Sequence, residues 1–234
     1  AGGASRAALT QHFALRDNFG DVTAKDGNQE VFVEIIGSLI GVWVAWVVGE
    51  SKSAAFLAFF VFCTLHVHCN LQACRAVTLK TVNRQRACIL LKHWLSARAV
   101  LSPAEVAAKE AVVHIPGMEA GDTEIVLGAS TERLAAASDL PSLLRAGSPG
   151  MHVAAMAKEA PVWPFRKQVL VGLHVESTPS DVILAFFNAL LLAQGGGGRS
   201  KEARELAAQL GGAGWRLDTH HLADAAVRLD WREA

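Results

Sequence analysis

VFVEIIGSLIGVWVAWVV (Val31–Val48) and AAFLAFFVFCTLHVHCNL (Ala54–Leu71) stand back to back, parted only by Gly49-Glu50-Ser51-Lys52-Ser53. Each apolar run is 18 residues long, the lower end of what an α-helix needs to cross a hydrocarbon layer of roughly 30 Å. The first run carries a single charge, Glu34, and the second carries none. In the first, Gly37, Gly41, Ala45 and Gly49 recur every fourth residue, and Ala54 and Ala58 repeat the interval in the second. Small residues at that spacing give a helix one smooth stripe, against which another helix can pack closely in lipid. The pattern predicts a transmembrane helical hairpin with Gly37, Gly41 and Ala45 at its packing surface. A buried hairpin of a water-soluble protein, or one part of a larger bundle, remains open on the same residues.

Working outward, residues 7–30 read as a short helix followed by a polar loop. Beyond Leu71 the chain turns basic and amphipathic, with Arg75, Lys80, Arg84, Arg86, Lys92 and Arg98 between apolar Val77, Val82, Ile89, Leu90, Trp94 and Leu95. This reads as one long helix leaving the bilayer for water. Lys25 and this basic run flank the hairpin, and the loop holds only Lys52, so the distribution of Lys and Arg places both ends on the cytoplasm-like side. Arg84 and Arg86 are two apart and point to different sides of a helix. One is therefore expected to meet anionic headgroups and the other a carboxylate, with Asp21 and Glu30 as candidates. Ser102-Pro103-Ala104-Glu105 opens a further helix as a capping box.

From about Gly121 the elements alternate. Glu124–Leu127 and Val169–Glu176 read as strands, Ser130–Ser138 as a helix, and Thr178-Pro179-Ser180-Asp181 caps an apolar helix through Gln194. That helix is short for a bilayer and follows a strand, which argues for a packed α+β core. Gly195–Gly198 reads as a joint, Ser200 caps a helix to Leu210, and residues 139–168, with four prolines, read as irregular. The fold class is thus mainly α with an α+β C-terminal domain: a membrane-associated helical part over 1–110, with spans at about 31–48 and 54–71, and a strand–helix domain over 121–234.

The 234 residues are 51% hydrophobic with a mean hydropathy of +0.27, too low for a polytopic transporter alone and consistent with a small embedded part and a larger water-facing one. Lys+Arg and Asp+Glu number 22 each, so net charge offers no argument for nucleic acid. All four cysteines (Cys63, Cys69, Cys74, Cys88) cluster in or beside the second run, which is not the spread of a secreted disulfide framework. The chain opens on Ala1-Gly2-Gly3 rather than on a methionine or a signal-peptide layout, and reads as a start that lacks upstream sequence.

Polar positions in the apolar hairpin are the candidates for function. An acid such as Glu34 inside an apolar span usually marks a pathway, a partner or a proton site, unless it snorkels to the interface. His66 and Asn70, four apart, are suited to interhelical hydrogen bonds. Cys63, His66, His68, Cys69 and Cys74 include residue types that bind zinc, but no CxxC or HxxxH pair orders them, and thiols are common small fillers in apolar helices. No metal and no cofactor is expected. The glycines at 195–198 lack the GK[ST] ending of a phosphate loop, and His220-His221 belongs to no spaced catalytic set. With Arg75, Asn83, Arg84 and Arg86 as a basic membrane-exit segment, facing headgroups rather than nucleic acid, no catalytic constellation emerges.

GGASRAALTQHFAL, DVTAKDGNQE leading into the apolar run, LHVHCNLQACRAV, TVNRQR and LSPAEVAAKE together resemble the root UVB sensitive family of eukaryotic membrane proteins. The resemblance covers about residues 2–110 strongly and the C-terminal third more loosely, through GLHVESTPSDVILAFFNALLLA and GWRLDTHHL. His68 and Leu71 stand where the family usually has Tyr, and this chain has no Tyr, so neither position offers a phenol. The resemblance implies a multi-span membrane protein, associated in plants with plastids, UV-B or light response and development, with no reaction attached to the family as a whole. The expectation is a non-enzymatic membrane scaffold, organellar or endomembrane, that contacts the lipid bilayer and recruits a protein partner through its C-terminal domain. A small-molecule carrier using Glu34, His66 and Asn70, or an enzyme whose active site lies upstream, are the alternatives.

Overall fold

Phe19–Val48 is one continuous helix in the computed structural model, which describes residues 2–14, 18–112, 123–137, 151–157, 167–195, 200–222 and 227–230. The described chain forms two compact units, 1–76 and 77–234, so the division falls well before the 110/121 boundary read from the sequence.

The first unit holds helices α1 (Gly2–Phe13), α2 (Phe19–Val48) and α3 (Lys52–Ala76). The polar segment ahead of Val31 is helical rather than a loop, and the reason is local. Asp26 and Glu30 are four apart on one face of α2, and Arg6 of α1 bridges both, at 2.7 Å and 2.6 Å. Gly49 ends α2 with φ 56° and donates its N–H to Ala45 O at 3.0 Å; a left-handed φ of this kind suits glycine, which has no Cβ to clash. Ser51 Oγ then accepts from Ala54 N and opens α3.

The second unit begins with strand β1 (Thr81–Asn83) and helix α4 (Arg84–Ala97). The long basic helix expected from Leu71 onward is therefore interrupted: α3 stops at Ala76, and Asn83 starts a new helix by accepting from Arg86 N at 2.7 Å. The apolar face of α4 (Ala87, Leu90, Leu91, Trp94) is buried, so by packing it belongs to the second unit. Helix α5 (Pro103–Ala107) carries the expected capping box between Ser102 and Glu105.

A three-stranded sheet forms the centre of this unit. Strands β2 (Thr123–Leu127), β3 (His152–Met156) and β4 (Lys167–Leu173) lie in the order β2-β4-β3, with β2 parallel and β3 antiparallel to β4. β3 lies within the segment read as irregular. Side chains alternate across β4: Val169, Val171 and Leu173 join the main core, while Leu170 faces the smaller cluster with Leu134 and Ala137 of α6 (Thr131–Ala137). Helix α7 (Pro179–Ala193) covers the main face, with eight residues including Phe186 and Phe187 buried. It is a core helix, as its length and capping predict. Helix α8 (Ser200–Leu210) buries Ala203, Leu206 and Leu210, and strand β5 (Arg216–His221) pairs in parallel with β1. Residues 196–198 of the glycine joint lie outside the described residues.

Candidate functional site

Between residues 28 and 70 every side chain is exposed except Val44, Val48, Ala54 and Ala58. These four lie on the turn-proximal ends of α2 and α3, and they are where the two helices meet. Farther from the turn, up to residues 28 and 70, no side chain of either helix is even half-buried. Among the described residues nothing approaches within 4 Å of where a Cβ would stand on Gly37 or Gly41, and Ala45 is exposed. The small-residue stripe is thus present on α2 but exposed, and the half-buried residues of α2 beside the turn are Val44 and Val48.

Glu34, the acid of the first apolar run, is exposed on α2; its backbone oxygen accepts from Ser38 Oγ at 2.8 Å. On α3, Asn70 Nδ2 lies 3.0 Å from His66 Nε2 and also donates to His66 O at 2.9 Å. With Nε2 accepting from the amide, the ring proton is assigned to Nδ1. The structure thus joins His66 with Asn70 and leaves Glu34 apart from both. Arg75 is exposed in the last turn of α3. Cys63, Cys69 and Cys74 are exposed and Cys88 is half-buried, and among the described residues no three His, Cys, Asp or Glu side chains gather as a metal site.

Asn83, Arg84 and Arg86 have a different setting from the one the sequence implied: all three are engaged inside the second unit. Arg86 is buried and donates from Nε to Glu110 Oε2 at 2.8 Å and from Nη1 to Thr81 O at 2.9 Å. Asn83 Nδ2 donates to the other oxygen of Glu110 at 3.0 Å. Arg84 donates to Leu222 O at 2.8 Å and Ile125 O at 2.9 Å, with its guanidinium over the Phe186 ring. Neither arginine is shown at a lipid surface. The carboxylate is Glu110, whereas Glu30 is bound to Arg6. The arginine pair ties β1 and α4 to β2, α7 and the segment after β5, and its chemistry is structural.

Sequence reasoning passed over two histidines. His152, at the start of β3, accepts at Nε2 from Asn188 Nδ2 of α7 at 2.7 Å. Burial lowers its pKa to about 4, with the positive charge of Arg204 acting the same way and Asp181 opposing. It is a neutral, fixed imidazole near pH 7. His174, almost fully buried, accepts at Nδ1 from Glu176 N at 3.1 Å and turns Nε2 toward Asp230, 3.5 Å away. Glu105 has its carboxyl below the usual range because the Ser102 backbone and hydroxyl both donate to it. No local motif marks either histidine, since their partners are 36 and 56 positions distant in sequence.

The sequence pattern of the family described as "Vitamin B6 photo-protection and homoeostasis domain" matches residues 1–98, a stretch that takes in the hairpin and the Asn83–Arg86 segment. Protein root UVB sensitive 3 of Arabidopsis thaliana is 30% identical over 99% of this chain and 56% of its own length. RUS family member 1 of Dictyostelium discoideum is 40% identical over 48% of this chain and 22% of its own. Protein root UVB sensitive 4 of Arabidopsis thaliana is 29% identical over 47% of this chain and 22% of its own. The chain therefore spans about half the length of the first of these relatives and aligns with less of the others. No solved structure matches it.

Proposed function

The chain belongs to the root UVB sensitive family, and on that footing we propose that it is a non-enzymatic integral membrane protein whose strand–helix unit recruits or stabilises a protein partner. The observation that carries the membrane half of this reading is the apolar surface of α2 and α3. Both helices are long and apolar enough to cross a membrane, and none of the residues in their apolar windows is buried. Trp46 is 80% exposed and Leu57 68%. A continuous apolar surface of this kind needs a cover, since monomeric soluble proteins rarely leave apolar patches above a few hundred Å² open to water. Lipid is the cover that suits two 18-residue apolar runs joined by a polar turn.

The partner half rests on contrast. The second unit has its own core, built from α4, α7 and the sheet, and its conspicuous arginines and histidines are engaged in internal contacts. That is the build of a folded appendage that presents a surface. The family's description and the names of its members connect it with UV-B and vitamin B6 homoeostasis, and an organellar or endomembrane is the setting we assign. The second reading, a small-molecule carrier, is favoured by one observation: polar Glu34, His66 and Asn70 on otherwise apolar helices.

Expressed in cells, the protein should remain in the membrane pellet after alkaline carbonate, with the 49–53 turn protected from protease on one side of sealed vesicles and both ends of the hairpin open on the other. Release by carbonate would overturn the reading. Solute uptake by reconstituted vesicles, abolished by Glu34→Gln, would favour the carrier instead.

A further inference from the structure

The unoccupied faces of α2 and α3 match one another. Glu34 lies as many residues ahead of Val48, the end of α2, as His66 lies beyond Lys52, the start of α3 (fourteen in each case). At 1.5 Å per residue both are about 21 Å from the turn, so in a hairpin they share one depth. Glu34, Ser38, Gly41 and Ala45 form one ridge of α2, and Cys63, His66, Asn70 and Cys74 form one ridge of α3, by the spacing of a 3.6-residue turn. Measured at about 100° per residue from the Val44/Val48 and Ala54/Ala58 contact, both ridges turn to the same side of the hairpin.

The chemistry of the ridges is complementary. His66 has its Nε2 occupied by Asn70, which leaves Nδ1–H as the donor of the ring. Glu34 is an acceptor on an apolar helix, with no side-chain partner among the described residues. A carboxylate and an imidazole N–H left in hydrocarbon are each costly, and pairing across helices removes both costs. Gly41 and Ala45 on one ridge and Cys63 on the other are small enough for the backbones to approach.

We infer that the hairpin's docking partner is a second copy of this chain: a two-fold dimer in which Glu34 of each protomer accepts a hydrogen bond from His66 of the other. Two ridges on one side, at one depth, satisfy the requirement of an isologous interface, in which residue i meets j and j meets i. The inference rests on the membrane reading above and goes beyond it by naming the partner and the contact.

The test uses the full chain in lipid vesicles, with Cys69, Cys74 and Cys88 replaced by Ser, native Cys63 kept and Ser38→Cys added, since Ser38 and Cys63 lie on the facing ridges within one residue of the same depth. Mild oxidation should give a disulfide-linked dimer on non-reducing gels. Glu34→Gln or His66→Leu should reduce it at least tenfold, and the exchange Glu34→His with His66→Glu should restore it. A protein that resists carbonate but stays monomeric, or forms only the bond within one chain, overturns the dimer and leaves the membrane reading standing. Release by carbonate overturns both. Dimer yield unchanged by either single variant overturns the Glu34–His66 contact.

Discussion

Arg86 Nε and Glu110 Oε2 meet at 2.8 Å across 24 positions of sequence, with side-chain exposures of 8% and 19%. The pair closes a small network: Arg86 also reaches Thr81 O, and Asn83 fills the second oxygen of Glu110 while capping α4. Helix start, strand β1 and the segment after α5 are thereby held by three side chains.

Removing one partner is the damaging change. Arg86→Ala leaves a largely buried carboxylate and an unmet carbonyl, and should cost about 3–5 kcal/mol, the range seen when one member of a buried pair is lost. Replacing both, as Arg86→Met with Glu110→Leu, should recover much of that because no charge is stranded. Thermal unfolding of the full chain in detergent, followed by circular dichroism, measures both. Equal losses in the single and double variants would contradict the network.

His152 makes stability depend on pH. Its folded pKa is lowered from 6.5 to about 4, so between those values the unfolded chain binds a proton that the folded chain refuses. Stability from this group is present in full above pH 6.5 and is lost as pH falls toward 4. The loss should approach about 2 kcal/mol by pH 4.5, because each pH step between the two values removes about 1.4 kcal/mol at most. His152→Gln keeps a partner for Asn188 and should flatten this slope. Urea midpoints of wild type and variant at pH 7 and pH 4.5 give the comparison, and parallel losses would assign the slope elsewhere.

Gly172 of β4 has no room for a side chain. A Cβ there would lie 2.7 Å from Leu134 Cδ1, 3.0 Å from Val153 Cγ2 and 3.1 Å from Leu229 Cδ1. Gly172→Ala should lower stability by about 1–3 kcal/mol, the usual cost of overpacking, and Leu134→Ala in the same chain should offset part of the strain. An alanine variant as stable as wild type would mean that α6 yields without cost.

The features legible in the sequence are those written within a few neighbouring residues. The apolar runs at 31–48 and 54–71 announce α2 and α3 by length. The capping boxes at Ser102–Glu105 and Thr178–Asp181 close over three residues, so the starts of α5 and α7 are local facts. β2 and β4 show as short apolar strands between turn residues.

Tertiary structure decided the rest, because the partners are distant. β3 and β5 exist through pairing with β4 and β1, and nothing in HVAAM or RLDTHH demands a strand without those neighbours. Arg84 and Arg86 look like a basic surface in sequence, yet Arg84 is used by carbonyls 41 and 138 positions away, and such contacts arise only when the chain folds back. The glycine stripe on α2 was readable, but which residues met α3 was not. A small-residue spacing sets how closely helices can approach; the angle at which a short turn sends the second helix back sets which of its residues they reach.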